Sequence, residues 1–414
     1  MFRSKTSSIL NLLLDLYNLN LTGFGKILFW GAIASMSLGN YTTTIKIYVF
    51  FCFIFGLFAV AFIYNLFFRF NFSITGSLPE KTSAGQTISY RIRIRNNSKK
   101  TVYFLKISEK SLPKTVKKIK NENSMITVLN PGEESEIVNS LYFKKRGAYL
   151  LDGFYLLSCY PFGILNKVKF VKDEKIILVY PEFSNLSNLL IPVTTKYQPG
   201  GLSLSSSVGE STEFIGTREY RYPDNPKLIH WRSWARTGSP VVKEFHEEYY
   251  LRIALILDTF IVTNKKEKYN DTFEKAVSLS ASVADNLAKL EYVLDIFIAG
   301  PKFYHLQAGR ALAYLENILD LLACIEPSSE KPFEKLPFDL LSHLRSISTC
   351  ILVMLDLDER REKLIELIKN SGCGLKIIVV KDDLDEKVLE KYENMYGKIR
   401  HVTTSEISKG FKTL

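Results

Sequence analysis

The sequence predicts a multi-domain protein in which a transmembrane α-hairpin, an antiparallel β-sandwich and a doubly wound, Rossmann-like α/β domain follow one another. Three observations predict this order. Two long apolar runs lie near the N-terminus. In residues 69–181 apolar and polar side chains alternate along several short runs. In residues 251–414 apolar runs of strand length alternate with amphipathic runs of helix length. These patterns are typical of membrane helices, half-exposed strands and doubly wound sheets, in that order.

Residues 25–68 are predicted to form a two-helix transmembrane hairpin. The first run, residues 25–42, is uncharged apart from Lys26, and the second, residues 45–68, carries only Lys46. As a helix the second run would extend about 36 Å, enough to cross a bilayer. Basic residues lie before and after the hairpin, so the positive-inside rule predicts a multi-pass protein of the cytoplasmic (inner) membrane with its globular domains in the cytoplasm. A buried core hairpin is the alternative.

Composition supports a membrane-associated, reducing environment. Residues 1–24 have a basic start followed by leucines interrupted by Asn and Asp, which predicts a short interfacial helix. The net charge of +11 is explained by anionic lipid, with membrane lipid contacted through residues 25–68, and nucleic acid is not expected as a partner. The five cysteines lack disulfide-like or zinc-like spacing, as expected of a chain that lies mostly in the cytoplasm.

The β-sandwich is predicted over residues 69–181. In the stretch TISYRIRIRN, alternate apolar residues face one way while Arg91, Arg93 and Arg95 face the other, which predicts a strand with one solvated face. Gly-, Pro- and Asn-containing turns separate it from later runs of the same type. We therefore predict an immunoglobulin-like sandwich with further strands at residues 101–109, 135–143, 148–157 and 167–180.

The α/β domain is predicted over residues 251–414. Its strands, beginning with LRIALILD at residues 251–258, are apolar without alternation, so both faces of the sheet must be covered. The amphipathic runs between them predict a doubly wound sheet with right-handed crossovers. The later strands are predicted at residues 293–299, 350–355 and 375–380, and the helices at 271–290, 311–325, 359–369 and 384–396.

Residues 182–250 form a linker followed by a stretch unusually rich in arginine, carboxylates and large aromatics. The linker is the Gly- and Ser-rich run at residues 200–211, and the rich stretch covers residues 211–245. Arginine suits both bidentate carboxylate pairing and stacking on rings. Two interpretations stay open: Arg218, Arg232 and Arg236 form a structural ion-pair network with nearby carboxylates, or the stretch is a docking pocket for an anion or a partner.

The same stretch resembles the family called domain of unknown function 58. The residues that carry the resemblance are Glu213, Phe214, Arg218, Glu219, Tyr220, Asp224, Ile229, Trp231, Ala235, Arg236, Gly238, Glu244 and Phe245. Pro223 and His230 depart from the family pattern, where Gly and Asp are usual. The resemblance implies a bacterial or archaeal membrane protein whose α/β domain is von Willebrand A-like and which is associated with a MoxR-type AAA+ ATPase.

Asp258 holds the position that opens a D-x-S-x-S metal site in the von Willebrand A domains that this chain resembles. Such a site needs hydroxyl oxygens beside the carboxylate. Phe260 and Val262 supply none, so we predict a degenerate metal-site position, no bound metal and no cofactor. Asp356 and Asp358, which follow a later strand, are the residues that would still help to hold a cation. Otherwise Asp258 caps the following turn or pairs with a lysine.

These features predict a membrane-anchored, non-enzymatic scaffold or adaptor that binds protein partners. No P-loop spacing occurs, and the five histidines lack metal-ligand spacing. One alternative is a hydrolase that uses the Arg/Glu/His stretch, with His230 as its base. The other is a metal-dependent adhesion module that binds through the edge of the sheet containing Asp258.

Overall fold

The computed structural model divides the chain into two compact units. The first comprises residues 1–183 and 316–326, and the second comprises residues 184–315 and 327–414. The structure describes residues 14, 17–41, 45–110, 112–119, 125–186, 189–192, 214–245, 252–261, 266–290, 292–299, 303–307, 312–328, 340, 343–344 and 346–410. Most of the predicted interfacial segment, residues 1–24, lies outside this set.

Two apolar helices begin the described chain. Helix α1 spans Gly23–Tyr41 and α2 spans Ile45–Phe67, and the two pack against each other. Large side chains such as Phe53, Phe55 and Phe62 are exposed on α2, as expected of a lipid-facing surface. Within the described residues, one helix, over Ile47–Phe67, is long and apolar enough to cross a membrane, whereas the apolar part of α1 is shorter. The predicted helices therefore form, but the second crossing is not supported.

Nine strands form two facing sheets of an immunoglobulin-like type. The first sheet has the order β1-β3-β7-β5 and the second has the order β2-β9-β8-β4-β6. The pairings are antiparallel except between β2 and β9. The strands are β1 Phe72–Ser77, β2 Lys81–Ser83, β3 Thr87–Asn96, β4 Val102–Glu109, β5 Val116–Ile119, β6 Met125–Leu129, β7 Glu134–Phe143, β8 Gly147–Ser158 and β9 Lys167–Tyr180.

Strand β3 confirms the alternation predicted from its sequence. Ile92 and Ile94 are fully buried between the sheets. Arg91 and Arg93 lie on the opposite face, each with its Nε 3.4 Å from a carboxylate oxygen of Glu136 on the neighbouring strand β7. Exposed ion pairs of this kind contribute about 0.2–1 kcal/mol, so the apolar face determines how the strand packs.

Beyond residue 213 the chain contains eight described strands and six described α-helices. The strands are β10 Phe214–Glu219, β11 Val241–Phe245, β12 Arg252–Asp258, β13 Val293–Ala299, β14 Phe303–Gln307, β15 Thr349–Met354, β16 Gly374–Val380 and β17 Ile399–Val402. The helices are α3 Trp231–Thr237, α4 Lys266–Lys289, α5 Leu312–Cys324, α6 Glu359–Asn370, α7 Glu386–Tyr396 and α8 Thr404–Ser408.

Six of these strands form one sheet with the order β14-β13-β12-β15-β16-β17. All neighbours are parallel except β14, which runs antiparallel to β13 at the edge. Residues at both alternate positions of β12 are buried, so helices cover both faces of the sheet as predicted. Since β12 and β15 are parallel neighbours, Asp258 at the end of β12 lies beside the loop that begins after Met354.

Candidate functional site

The charged and aromatic stretch folds into a small module, residues 214–245, which we call the signature module. Strands β10 and β11 pair antiparallel, with Phe214 opposite Phe245 and Arg218 opposite Val242. The connection between them contains a 3-10 turn at Pro226–Leu228 and the helix α3. The backbone N–H of Tyr220 donates to the carbonyl of Pro240 at 2.9 Å, which closes the base of this connection.

Helix α3 is fixed at both ends by local contacts. His230 is the residue before its first turn, and its Nδ1 lies 2.6 Å from the hydroxyl of Ser233. Gly238 ends the helix in the left-handed conformation, with φ 75°, and its N–H donates to the carbonyl of Trp234. The contact between His230 and Ser233 is therefore a local one at the start of the helix.

A bidentate ion pair fixes the turn that precedes α3. The guanidinium of Arg218 donates to both carboxylate oxygens of Asp224 at 2.7 and 2.9 Å, and the N–H of Arg221 donates to the same carboxylate at 2.8 Å. The hydrogen bonds from Arg218 and from the backbone of Arg221 lower the pKa of Asp224 to about 2. Of the predicted ion-pair network, the pair between Arg218 and Asp224 is therefore present among the described side chains.

The rest of the module presents aromatic and cationic side chains to solvent. Trp231 stacks on Trp234, with ring centroids 5.2 Å apart and planes inclined by 20°. Trp231 is 66% exposed, Arg232 and Arg236 are exposed beside it, and no described side chain pairs with either arginine. The interpretation that these two arginines take part in a structural ion-pair network stays a prediction, because the side chains of Glu213 and Glu244 lie outside the described residues. Ala235 is also exposed on this helix.

The remaining predicted residues occupy the two strands of the module. Glu219 is exposed at the end of β10. Glu244 lies opposite Gly216 in the strand pairing. Glu213 and the side chains of Phe214, Glu244 and Phe245 lie outside the described residues, and so their predicted contacts stay predictions.

A buried ion pair occupies the edge of the six-stranded sheet where Asp258 ends β12. The Nε of Arg361, from the first turn of α6, donates to Oδ2 of Asp258 at 2.7 Å, and each of these side chains is 3% exposed. The other nitrogens of the guanidinium donate to Asp358 at 2.6 Å and to the carbonyl of Phe260 at 3.0 Å. Burial lowers the pKa of Arg361, but the two carboxylates outweigh it and raise the pKa overall.

Every carboxylate at this edge has a partner within the protein. Asp258 also accepts hydrogen bonds from the N–H groups of Phe260 and Leu355, at 2.9 and 3.0 Å. Asp356 accepts from the ammonium of Lys381 at 2.6 Å. The expectation that Asp258 caps the following turn is confirmed, whereas a lysine partner for it is wrong because the cation is Arg361.

The arrangement does not fit the metal that a von Willebrand A-like fold would imply. A divalent cation needs several oxygen ligands with lone pairs free to face it. Here the guanidinium of Arg361 lies against Asp258 and Asp358, so a positive side chain stands where a metal would be bound. Over the described part of the chain, no three His, Cys, Asp or Glu side chains are grouped to hold a metal ion.

The family comparison covers both the signature module and this sheet edge. Residues 216–393 match the model of the family described as "Protein of unknown function DUF58". This part of the chain is a DUF58 domain. The DUF58 domain thus contains the exposed face of α3 and the pair formed by Asp258 and Arg361. No curated protein matches the chain.

Solved structures show only distant similarity to the chain. The E. coli alpha-2-macroglobulin is 14% identical, with a TM-score of 0.21, over 27% of this chain and 7% of that chain. The CARDB domain of PF1109 from Pyrococcus furiosus is 13% identical, with a TM-score of 0.18, over 27% of this chain and 94% of that chain. The pilus adhesin RrgA from Streptococcus pneumoniae is 8% identical, with a TM-score of 0.19, over 70% of this chain and 42% of that chain. The chain spans less than a tenth of the E. coli alpha-2-macroglobulin and of the Salmonella alpha-2-macroglobulin that it also matches. TM-scores near 0.2 carry no conclusion about function.

Proposed function

We propose that the chain is a membrane-anchored, non-enzymatic adaptor whose DUF58 domain, a von Willebrand A-like domain, binds a protein partner through the signature module. The expected partner is a MoxR-type AAA+ ATPase acting in the assembly of a complex, as the family resemblance implies. The observation that carries the proposal is the exposed face of α3, where Trp231 stacks on Trp234 and the exposed Arg232 and Arg236 have no partner among the described side chains.

The chemistry of this face favours a protein partner with an acidic surface. From Gly216 to Lys243 the sequence has six Lys and Arg residues against two Asp and Glu residues. One of those two carboxylates, Asp224, is already paired with Arg218. Tryptophan and arginine are enriched among the residues that contribute most to protein interfaces, because a large ring and a planar cation bury well against a partner.

The sheet edge supports a binding role that needs no metal. A binding module that depends on a metal cation needs carboxylates that are free to coordinate it. Asp258 instead forms an ion pair with Arg361, and Asp356 forms one with Lys381. For the same reason we place the partner contact on α3 and not on this edge. Membrane anchoring is supported by α2, which is long and apolar enough to cross a bilayer.

The proposal is tested by measuring the affinity of the detergent-solubilised full chain for a MoxR-type ATPase from the same cell. Trp231→Ala is expected to weaken binding roughly ten-fold or more, the effect of removing a central aromatic contact. Tyr304→Ala is the matched control, because Tyr304 is a 45% exposed aromatic on β14 outside the module. Equal affinity of both variants and the unchanged chain would refute the assigned surface, and no binding at all would refute the partner.

A further inference from the structure

A cavity of about 640 Å³ lies in the first unit, beside the start of helix α1. It is lined by the segment that leads into α1 and by residues of strands β4, β6 and β8 of the sandwich. Its polar lining includes Asn18, Lys26, Lys106 and Asn166, and its apolar lining includes Phe104 and Met125. A cavity of this size is large enough for a small molecule, and its mixed polar and apolar lining suits a ligand that has both a polar and an apolar part.

The polar part of the cavity attracts an anion. Lys26 is held in place because its ammonium donates to Oδ1 of Asn18 at 2.6 Å. Lys106 is exposed, and its ammonium has no partner among the residues that the structure describes. The one carboxylate in the lining, Glu109, is compensated by Lys118 at 2.9 Å and by a hydrogen bond from Asn139 at 2.7 Å. The two lysines therefore dominate the charge that faces the cavity.

Phe104 marks the cavity as a strained place in the sandwich. Its φ of 52° is the one positive φ of a non-glycine residue among the described residues. Phe104 is left out of the pairing between β4 and β6, where its neighbours Tyr103 and Leu105 are both paired. A left-handed conformation costs an ordinary residue about 1–2 kcal/mol. In this conformation the ring of Phe104 lines the cavity, and Phe104 is 40% exposed. Backbone strain of this kind is found more often at functional sites than elsewhere.

The position of the cavity relates it to the apolar helices. Lys26 lies in the first turn of α1, and the neighbouring Phe24, Ile27 and Trp30 expose between 58% and 71% of their surface. A ligand with an anionic head and an apolar tail would match this arrangement, with the head at the two ammonium groups and the tail along the exposed face of α1.

We propose that this cavity binds the phosphate-bearing headgroup of an anionic phospholipid. The inference rests on the membrane anchoring contained in the proposed function, but not on the protein partner. Lys106 and Lys26 contact the phosphate, Asn166 lies within the same lining as a hydrogen-bonding group, and Phe104 covers the start of the acyl chains.

Native mass spectrometry of the full chain, released from bilayers of mixed phosphatidylglycerol and phosphatidylcholine with identical acyl chains, tests this inference. We expect phosphatidylglycerol to be retained preferentially. Lys106→Glu is expected to reduce that preference about ten-fold, the loss of one charge-assisted contact. Lys99→Glu is the matched control, since Lys99 is exposed on the same sandwich but does not line the cavity.

Each of the other outcomes contradicts the inference in a different way. Equal retention of the two lipids would show that the chain has no preference for an anionic headgroup. An equal loss in both variants would mean that overall charge and not the cavity attracts the lipid. Displacement of the lipid by inorganic phosphate alone would assign the site to a soluble phosphate compound. A chain that does not enter bilayers of any composition would contradict membrane anchoring as well, which separates the failure of that proposal from the failure of the cavity.

Discussion

At the scale of single residues, Arg361 is the side chain on which the sheet edge depends. Its side chain is 3% exposed and makes hydrogen bonds to Asp258, Asp358 and the carbonyl of Phe260. We predict that Arg361→Leu destabilises the region around β12 by about 3–5 kcal/mol, because Asp258 is left buried with an uncompensated charge. Hydrogen exchange of the β12 amides in the full chain, followed by mass spectrometry, measures this local free energy of opening.

A second substitution separates the lost ion pair from lost packing. In the double variant Arg361→Leu with Asp258→Asn, the buried charge is gone, so protection of β12 should recover part of the loss. Lys381→Ala is the matched control, since the pair of Lys381 with Asp356 is 26% exposed on each side and should cost about 1 kcal/mol or less. A double variant as unstable as the single one would show that Arg361 acts through its packing.

The pair between Arg218 and Asp224 makes a separate prediction about pH. Because the hydrogen bonds lower the pKa of Asp224 to about 2, this carboxylate stays ionised well below the ordinary aspartate value of about 3.9. The contribution of the pair to the folded module is thus present above pH 4 and is lost as the pH falls toward 2. Carbon NMR of the Asp224 carboxyl group should show a pKa near 2, and Arg218→Ala should return it toward the ordinary value. An unchanged pKa in that variant would contradict the pairing.

The sequence identified Asp258 but not its partner. The missing hydroxyls at Phe260 and Val262 are the basis for predicting a degenerate metal-site position at Asp258. Arg361 lies 103 residues further along the chain, and only the adjacency of β12 and β15 brings the two together. One local signal for this partner was present in the sequence. Arg361 lies in the first turn of a predicted helix, shortly after the acidic residues Asp356 and Asp358. Pairing across the sheet cannot be read from such local spacing.

At the scale of elements, the junction between α1 and the sandwich is a close backbone contact. The N–H of Thr22 donates to the carbonyl of Ile164 at 3.1 Å, and the N–H of Asn166 donates to the carbonyl of Asn20 at 2.8 Å. A Cβ atom on Gly25 would overlap the carbonyl of Ile164. Glycine is therefore required at this position because the helix and the turn approach so closely.

We predict that Gly25→Leu weakens the junction by about 1–3 kcal/mol, the usual cost of forcing extra volume into a packed contact. Hydrogen exchange of the amides of Thr22 and Asn166, which donate the two hydrogen bonds of the junction, should become faster in the detergent-solubilised chain. Gly23→Leu is the matched control, since no atom lies within 4 Å of a Cβ built there. Equal exchange in both variants would contradict the close contact.

Elements with a clear hydrophobic period could be predicted from the sequence, whereas short or edge elements could not. Strand β9 begins and ends at the predicted residues, and α6 differs from its prediction by one residue at the C-terminal end. The antiparallel edge strand β14 and the short helix α3 were not predicted as such. A five-residue strand at an edge and a seven-residue helix contain too few periodic positions to show a pattern.

At the scale of the whole molecule, apolar helices, an immunoglobulin-like sandwich and a DUF58 domain are combined in one polypeptide. The patterns of apolar residues predicted the helices, the sandwich and an α/β domain, whereas the family was predicted from the resemblance in residues 213–245. The sequence left open whether the arginine-rich stretch is structural or a docking surface. The exposure of Trp231, Arg232 and Arg236 favours docking, since a structural network would bury and pair these cations.

Photo-crosslinking in living cells tests the central claim, that α3 contacts a protein partner, most directly. A photo-reactive phenylalanine derivative at position 231 should form a defined adduct with a partner, which mass spectrometry should identify as a MoxR-type ATPase. Arg232→Glu with Arg236→Glu should abolish the adduct. The same probe at Met395, which is 41% exposed on α7, should give none. Absence of an adduct at position 231, or an equal adduct at Met395, would contradict the account.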